Sequence, residues 1–110
     1  MHELINQYNN KGEKEGLWED YYNDNLMAKG HYIDGKQDGL WEFYWFDGSC
    51  KLRNKGSYKN GKQESYWEYY WFDGSIMFKG HFKNDKSDGL WEEYNSDGTL
   101  KEITFYANIN

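Results

Sequence analysis

Gly39-Leu40-Trp41-Glu42-Phe43-Tyr44-Trp45-Phe46 runs directly into Asp47-Gly48 and carries no 3.6-residue stripe. Its side chains alternate with period two. Trp41, Phe43 and Trp45 fall on one face of an extended strand, and Leu40, Glu42, Tyr44 and Phe46 fall on the other. Asp-Gly is a pair that accepts positive φ, which a tight hairpin turn requires. The segment predicts a β-strand that enters a hairpin and shows aromatic surface on both faces.

The same block recurs along the chain as Gly16-Leu17-Trp18-Glu19, Ser65-Tyr66-Trp67-Glu68 and Gly89-Leu90-Trp91-Glu92. Tyr21, Tyr44, Tyr70 and Tyr94 stand three residues after each Trp, and Asp24, Asp47, Asp73 and Asp97 stand six after. Successive tryptophans are 23, 26 and 24 residues apart, which makes the chain a tandem array. Asp73-Gly74 and Asp97-Gly98 close their units as Asp47-Gly48 does, with Asp24-Asn25 in the same slot of the first unit. A second set of turns, at 34–39, 60–65 and 84–89, joins one unit to the next. Turns at both ends of every strand predict an all-β fold, an antiparallel meander of β-hairpins with about eight or nine strands and no helix required. One domain spans 1–110, in units of about 9–30, 31–56, 57–80 and 81–104.

Counting outward from the Asp-Gly pairs places Glu42 opposite Arg53 and Glu68 opposite Lys79, but Glu92 opposite Ile103 and Glu19 opposite Gly30. Opposed charges stabilise a sheet by a few tenths to about 1 kcal/mol. Cross-strand pairing therefore explains only half of the Glu column.

A mean hydropathy of −1.18 with 29% charged residues resembles a disordered chain. Six Trp, eleven Tyr and six Phe argue for a folded one, because each ring buries a large area with few rotamers to freeze. Cys50 is the single cysteine, which excludes an internal disulfide and a cysteine-based metal site. The first residues lack the basic and apolar regions of a signal peptide. The longest apolar stretches, at 43–46 and 69–72, are far short of a membrane span. A cytoplasmic protein is expected.

The cycle aromatic-x-x-Gly-Lys-x-x-Gly-x-Trp-x-x-Tyr, then Asp-Gly and Lys-Gly, is clearest from Tyr32 to Gly56 and from Tyr58 to Gly80. It resembles the MORN repeat in its longer Trp-containing variant, from about Gly12 to Lys101. Ser65 and Asp85 depart from the pattern where it has Gly, as does Asn25, and Tyr8 is one residue out of phase with Tyr32. The resemblance implies a single-layer antiparallel sheet of stacked hairpins that serves as a binding surface, in scaffolds, membrane-associated modules and antitoxin-like or immunity proteins. A weaker similarity is to the exported choline- and glucan-binding repeats, which are shorter.

Two constellations are candidate sites. Phe43, Trp45, Tyr69 and Trp71 form an aromatic strip in the central units, where the terminal units turn polar, and such a strip can anchor a protein partner. Lys51, Arg53 and Lys55 open a stretch of five cations without an acid, and alternation would put these three on one face to hold a phosphate or lipid headgroup. The net charge of −6 disfavours nucleic acid and anionic membranes and favours a basic protein partner. His31 and His81 occupy equivalent slots in separate units, so no metal site is expected. Glu92-Glu93, the one adjacent glutamate pair, points to opposite faces of a strand. No catalytic constellation and no cofactor motif is present. The expected function is a non-enzymatic binding module, chiefly for protein–protein interaction and antitoxin-like or inhibitory in kind. The alternatives are lipid-headgroup or glycan binding by the aromatic and basic face, and a self-associating array, a homo-oligomer.

Overall fold

The period-two alternation of residues 40–46 extends along the whole chain. In a computed structural model that describes residues 4–107, nine strands form one antiparallel sheet in sequence order, and no helix occurs among the described residues. The strands are β1 (Gln7–Tyr8), β2 (Lys14–Tyr22), β3 (Asn25–Ile33), β4 (Lys36–Tyr44), β5 (Leu52–Lys59), β6 (Lys62–Tyr70), β7 (Ile76–Lys83), β8 (Lys86–Tyr94) and β9 (Leu100–Tyr106). The meander expected from the turn spacing is the observed fold.

The two ends of the sheet turn by different means. Asp34-Gly35, Asn60-Gly61 and Asn84-Asp85 each join two strands with both residues at positive φ, and Asn23-Asp24 does the same between β2 and β3. Such turns match the right-handed twist of the strands, and Asn and Asp enter the left-handed region at modest cost. The Asp-Gly pairs, expected to be two-residue turns, instead lie inside loops at 45–51, 71–75 and 95–99. Asp47, Asp73 and Asp97 accept hydrogen bonds from the backbone N–H and the hydroxyl of Ser49, Ser75 and Thr99 at 2.6–3.0 Å. A side chain that takes the place of a backbone acceptor builds a wider turn than Asp-Gly alone.

These turns correct the counted register. The first turn is Asn23-Asp24 rather than Asp24-Asn25, and Met27 is an extra residue opposite the Asp20–Tyr21 step, so Glu19 faces Lys29, not Gly30. The loop at 45–51 holds two residues more than its equivalents, which moves Glu42 from Arg53 to Lys55. Glu68 faces Lys79 and Glu92 faces Ile103, as counted. One row therefore runs across seven strands as Glu19, Lys29, Glu42, Lys55, Glu68, Lys79 and Glu92. Lys29 Nζ lies 3.9 Å from Glu42 Oε1 within it. Nearly the whole Glu column is thus explained by pairing.

The opposite face holds the core. Between β3 and β4 the register slips by two residues, so that Gly39 and Leu40 are extra opposite Gly30; Ser65-Tyr66 and Gly89-Leu90 are extra in the same way. Gly39, Ser65 and Gly89 all have positive φ there, and such a bulge bends its strand. The following Trp is thereby laid across the preceding strand. A Cβ on Gly30, Gly56 or Gly80 would come within 1.9–2.2 Å of the indole of Trp41, Trp67 or Trp91. Each indole N–H then donates to the carbonyl of the next residue, His31, Ser57 or His81, at 3.0–3.1 Å. Trp18 makes the same bond to Gln7 at 3.2 Å.

The rings continue from lane to lane as Tyr8, Trp18, Tyr32, Trp41, Tyr58, Trp67, Phe82, Trp91 and Tyr106, with neighbouring centroids 5.0–6.5 Å apart and edge to face. Tyr8 is out of phase in sequence and yet meets Trp18 as Tyr32 meets Trp41. In a sheet one layer thick, Trp41 and Trp67 are only 1% exposed. At ~25 cal/mol per Å² and ~150–250 Å² per ring, each stabilises the array by roughly 4–6 kcal/mol.

Three substitutions separate contact from conformation. Gly56→Ala is expected to lower the unfolding free energy by about 3 kcal/mol, because the indole of Trp67 must move. Gly39→Ala, with open space around its Cβ, should cost about 1 kcal/mol for its positive φ alone. Ser65→Gly should raise stability by about 1 kcal/mol by relieving the left-handed serine. Urea titrations of the three variants check the order.

Candidate functional site

With the tryptophans occupying one face, the other face presents two rows of side chains. The first is the Glu–Lys row. The second runs beside it: Leu17 faces His31, Leu40 faces Ser57, Tyr66 faces His81 and Leu90 faces Phe105. Leu17 is half-buried, and the other apolar members lie in the open, with Leu40 56%, Tyr66 42%, Leu90 58% and Phe105 70% exposed. The cause is alternation: with each Trp turned inward, the residue before it faces out.

Two repeat-related grooves lie along this row. One, of about 380 Å³, is walled by Leu17 and Leu40 with His31 between them and with Glu19, Asp38 and Glu42 at its rim. The other, of about 550 Å³, is walled by Tyr66 and Leu90 with His81 between them and with Glu64, Asp88 and Glu92 at its rim. They sit four strands apart, or roughly 19 Å at the usual strand spacing. Lys29 and Lys79 reach the rims as well.

The glutamates of the charged row are fixed by phenols two residues on. Tyr21 Oη donates to Glu19 at 2.6 Å, Tyr70 to Glu68 at 3.1 Å and Tyr94 to Glu92 at 2.6 Å. Their first role is to order this face. Among the described residues no group of three or more His, Cys, Asp or Glu could hold a metal ion.

Phe43 and Tyr69 lie half-buried on the tryptophan face. Phe43 stacks between Trp41 and Trp67 at 6.1 and 6.3 Å, and Tyr69 lies between Trp67 and Trp91 at 6.3 and 6.5 Å. In the last unit the position falls to Glu93, which pairs with Lys101 at 3.2 Å and ends the stack. Trp45 and Trp71 lie beyond the ends of β4 and β6, in the loops. Trp45 packs on Phe72 at 5.9 Å, and the indole nitrogens of both are buried without a hydrogen-bond partner. The four aromatics expected as one strip therefore divide between the core and the loop end.

The three cations are likewise separated. Lys51 stands in the loop with Nζ 4.1 Å from the centre of the Phe72 ring, and the Arg53 guanidinium lies 4.9 Å from that of Phe46. Lys55 faces Glu42 and Glu68. The alternation that would align them breaks at a bulge between Phe43 and Tyr44, where Arg53 is the extra residue. Sequence reasoning missed the row of Leu17, Leu40, Tyr66 and Leu90. Its signal was present as an apolar residue before every Trp.

Burial, reinforced by Glu42, pushes the Tyr44 phenol up to about 12, and burial pushes Tyr58 up to about 12. Tyr70 is raised by burial and by its bond to Glu68. Because the folded values exceed the ordinary value of about 10, the neutral phenols contribute stability that is fully present below pH ~10 and lost as pH rises toward ~12. Urea midpoints should fall steeply across that window, and Tyr58→Phe should flatten the fall.

Residues 59–84 and 87–108 each match the MORN repeat variant, one match to each segment. No curated protein and no solved structure matches the chain.

Proposed function

We propose that this array of MORN repeats is a non-enzymatic protein-binding module that docks its partner on the face bearing Leu40, Tyr66 and Leu90. One observation carries the reading: Leu40, Tyr66, Leu90 and Phe105 lie exposed in one row across a sheet whose other face is spent on its own core. A folded chain this small rarely leaves such a row open unless something covers it. The ordered Glu–Lys row beside it would supply register and specificity rather than affinity.

The partner is a basic protein. The chain carries −6 overall, and six carboxylates rim the two grooves against two lysines, with a third lysine, Lys83, at the second. Leucine and tyrosine walls would receive the stems of Arg or Lys side chains while the carboxylates meet their heads. An acidic domain that covers a basic surface in the cytoplasm acts as an antitoxin-like or inhibitory partner. Trp45 and Trp71 form the competing docking surface at the loop end, apart from Phe43 and Tyr69 in the core stack. Anion binding by Lys51, Arg53 and Lys55 is less favoured, because two of these cations lie over aromatic rings and the third faces two glutamates.

Capture from native lysate with three forms of the protein tests the reading. Wild type should retain one stoichiometric basic protein. Leu40→Glu/Leu90→Glu should lose it by tenfold or more, at about 1.4 kcal/mol per decade of affinity, while Trp45→Ala/Trp71→Ala should keep it. Loss in the second variant alone would move the site to the loop end, and retention by all three would remove both surfaces.

A further inference from the structure

The two edges of the sheet are finished differently. At the first, β1 is only two residues long, and the Asn6 side chain covers β2 beside it. Asn6 Nδ2 donates to Glu19 O at 3.0 Å, and Glu19 N donates to Asn6 Oδ1 at 2.8 Å, as a paired strand would through its backbone. At the last, β9 is seven residues long and, among the described residues, pairs with β8 alone. Ile103 and Phe105 are 54% and 70% exposed along it. The usual protections of an edge are a short strand, a proline or an outward lysine. β9 is not short and has no proline, and its one lysine is engaged with Glu93.

We propose that β9 pairs antiparallel with β9 of a second copy of the chain, joining the two sheets tail to tail into one. The side chains of β9 are complementary to themselves. A two-fold axis perpendicular to the sheet keeps the outer faces aligned only when it passes through a residue pair. Through Glu102 it would set two like charges opposite each other, which is unfavourable. Through Thr104 it sets Ile103 opposite Phe105 of the second copy twice, Thr104 opposite Thr104 and Glu102 opposite Tyr106. No like charges then meet, and the exposed side chains of Ile103 and Phe105 are covered in each copy. The contact is isologous, and because Asn6 finishes the opposite edge, pairing closes at two copies rather than propagating. Phe105 also ends the outer row, but the pairing needs none of Leu40, Tyr66 and Leu90, so it stands or falls independently of the partner reading above.

Sedimentation equilibrium over a dilution series from roughly 1 mM to roughly 1 μM, the range of weak interfaces, measures the association. The apparent mass should double at the top of the series and return to that of one chain at the bottom. Ile103→Lys/Phe105→Lys, which puts like charges opposite each other twice in this register, should remain monomeric throughout, with an unchanged circular dichroism spectrum. A wild type that stays monomeric, or a folded variant that associates as wild type does, overturns the proposal.

Cross-linking keeps the test open should that variant fail to fold. Opposed residues of antiparallel strands lie ~4.5–5.5 Å apart at Cα, within disulfide range. In a Cys50→Ser background, Thr104→Cys should therefore form a covalent dimer under mild oxidation, and Lys83→Cys, exposed at the end of β7, should not. Equal cross-linking of the two, or none at position 104, also overturns it.

Discussion

An indole laid flat on a glycine of the preceding strand sets the other distances in this sheet. The contact at Gly30, Gly56 and Gly80 leaves no room for a Cβ, and the hydrogen bond from each indole N–H fixes the ring along the strand. The bulge at Gly39, Ser65 and Gly89 exists to bring Trp into that position. Because the bulge adds two residues, alternation carries through it, and the residue before each Trp stays on the outer face. Core, register and outer surface are three results of one local geometry, repeated.

This explains how so polar a chain folds as a single layer. A sheet normally buries a face against a second sheet or a helix. Here the covering layer consists of rings lying along the sheet, each wedged between aromatics of adjacent lanes, so that Trp41 and Trp67 are sealed without another element. Toward the C-terminal end the stack closes with a charge pair, Glu93 and Lys101, where the central units place Phe43 and Tyr69. The outer face, relieved of any part in the core, can be given to recognition.

Much of this was legible in the residues. Period-two alternation and paired turn residues establish an antiparallel meander, and Asp34-Gly35 and Asn60-Gly61 turn where such pairs should. The register of Glu19 and Glu42 was not legible. Asn23 and Asp24 are as competent a turn as Asp24 and Asn25, and the side chain of Asp47 widens a loop that Asp-Gly alone would close tightly. The aromatic strip was half legible: alternation places Phe43 beside Trp41, but cannot follow Trp45 past the end of its strand. Lys51, Arg53 and Lys55 separate for the same reason, since a bulge resets the parity of every residue after it. The outer leucines were hidden by attention to the rings next to them.

The two residues that lengthen the loop at 45–51 disturb nothing beyond it. On their far side Gly56 meets Trp67 just as Gly30 meets Trp41 before them, and the Glu–Lys row runs on unbroken. Each hairpin takes its alignment afresh from its own indole and glycine, so a frame error in one unit is corrected within that unit rather than handed to the next. Such a chain can lengthen its loops, or gain and lose whole units, as a ruler does when its marks are cut independently. Its reach becomes an adjustable property, separable from the rule by which it folds.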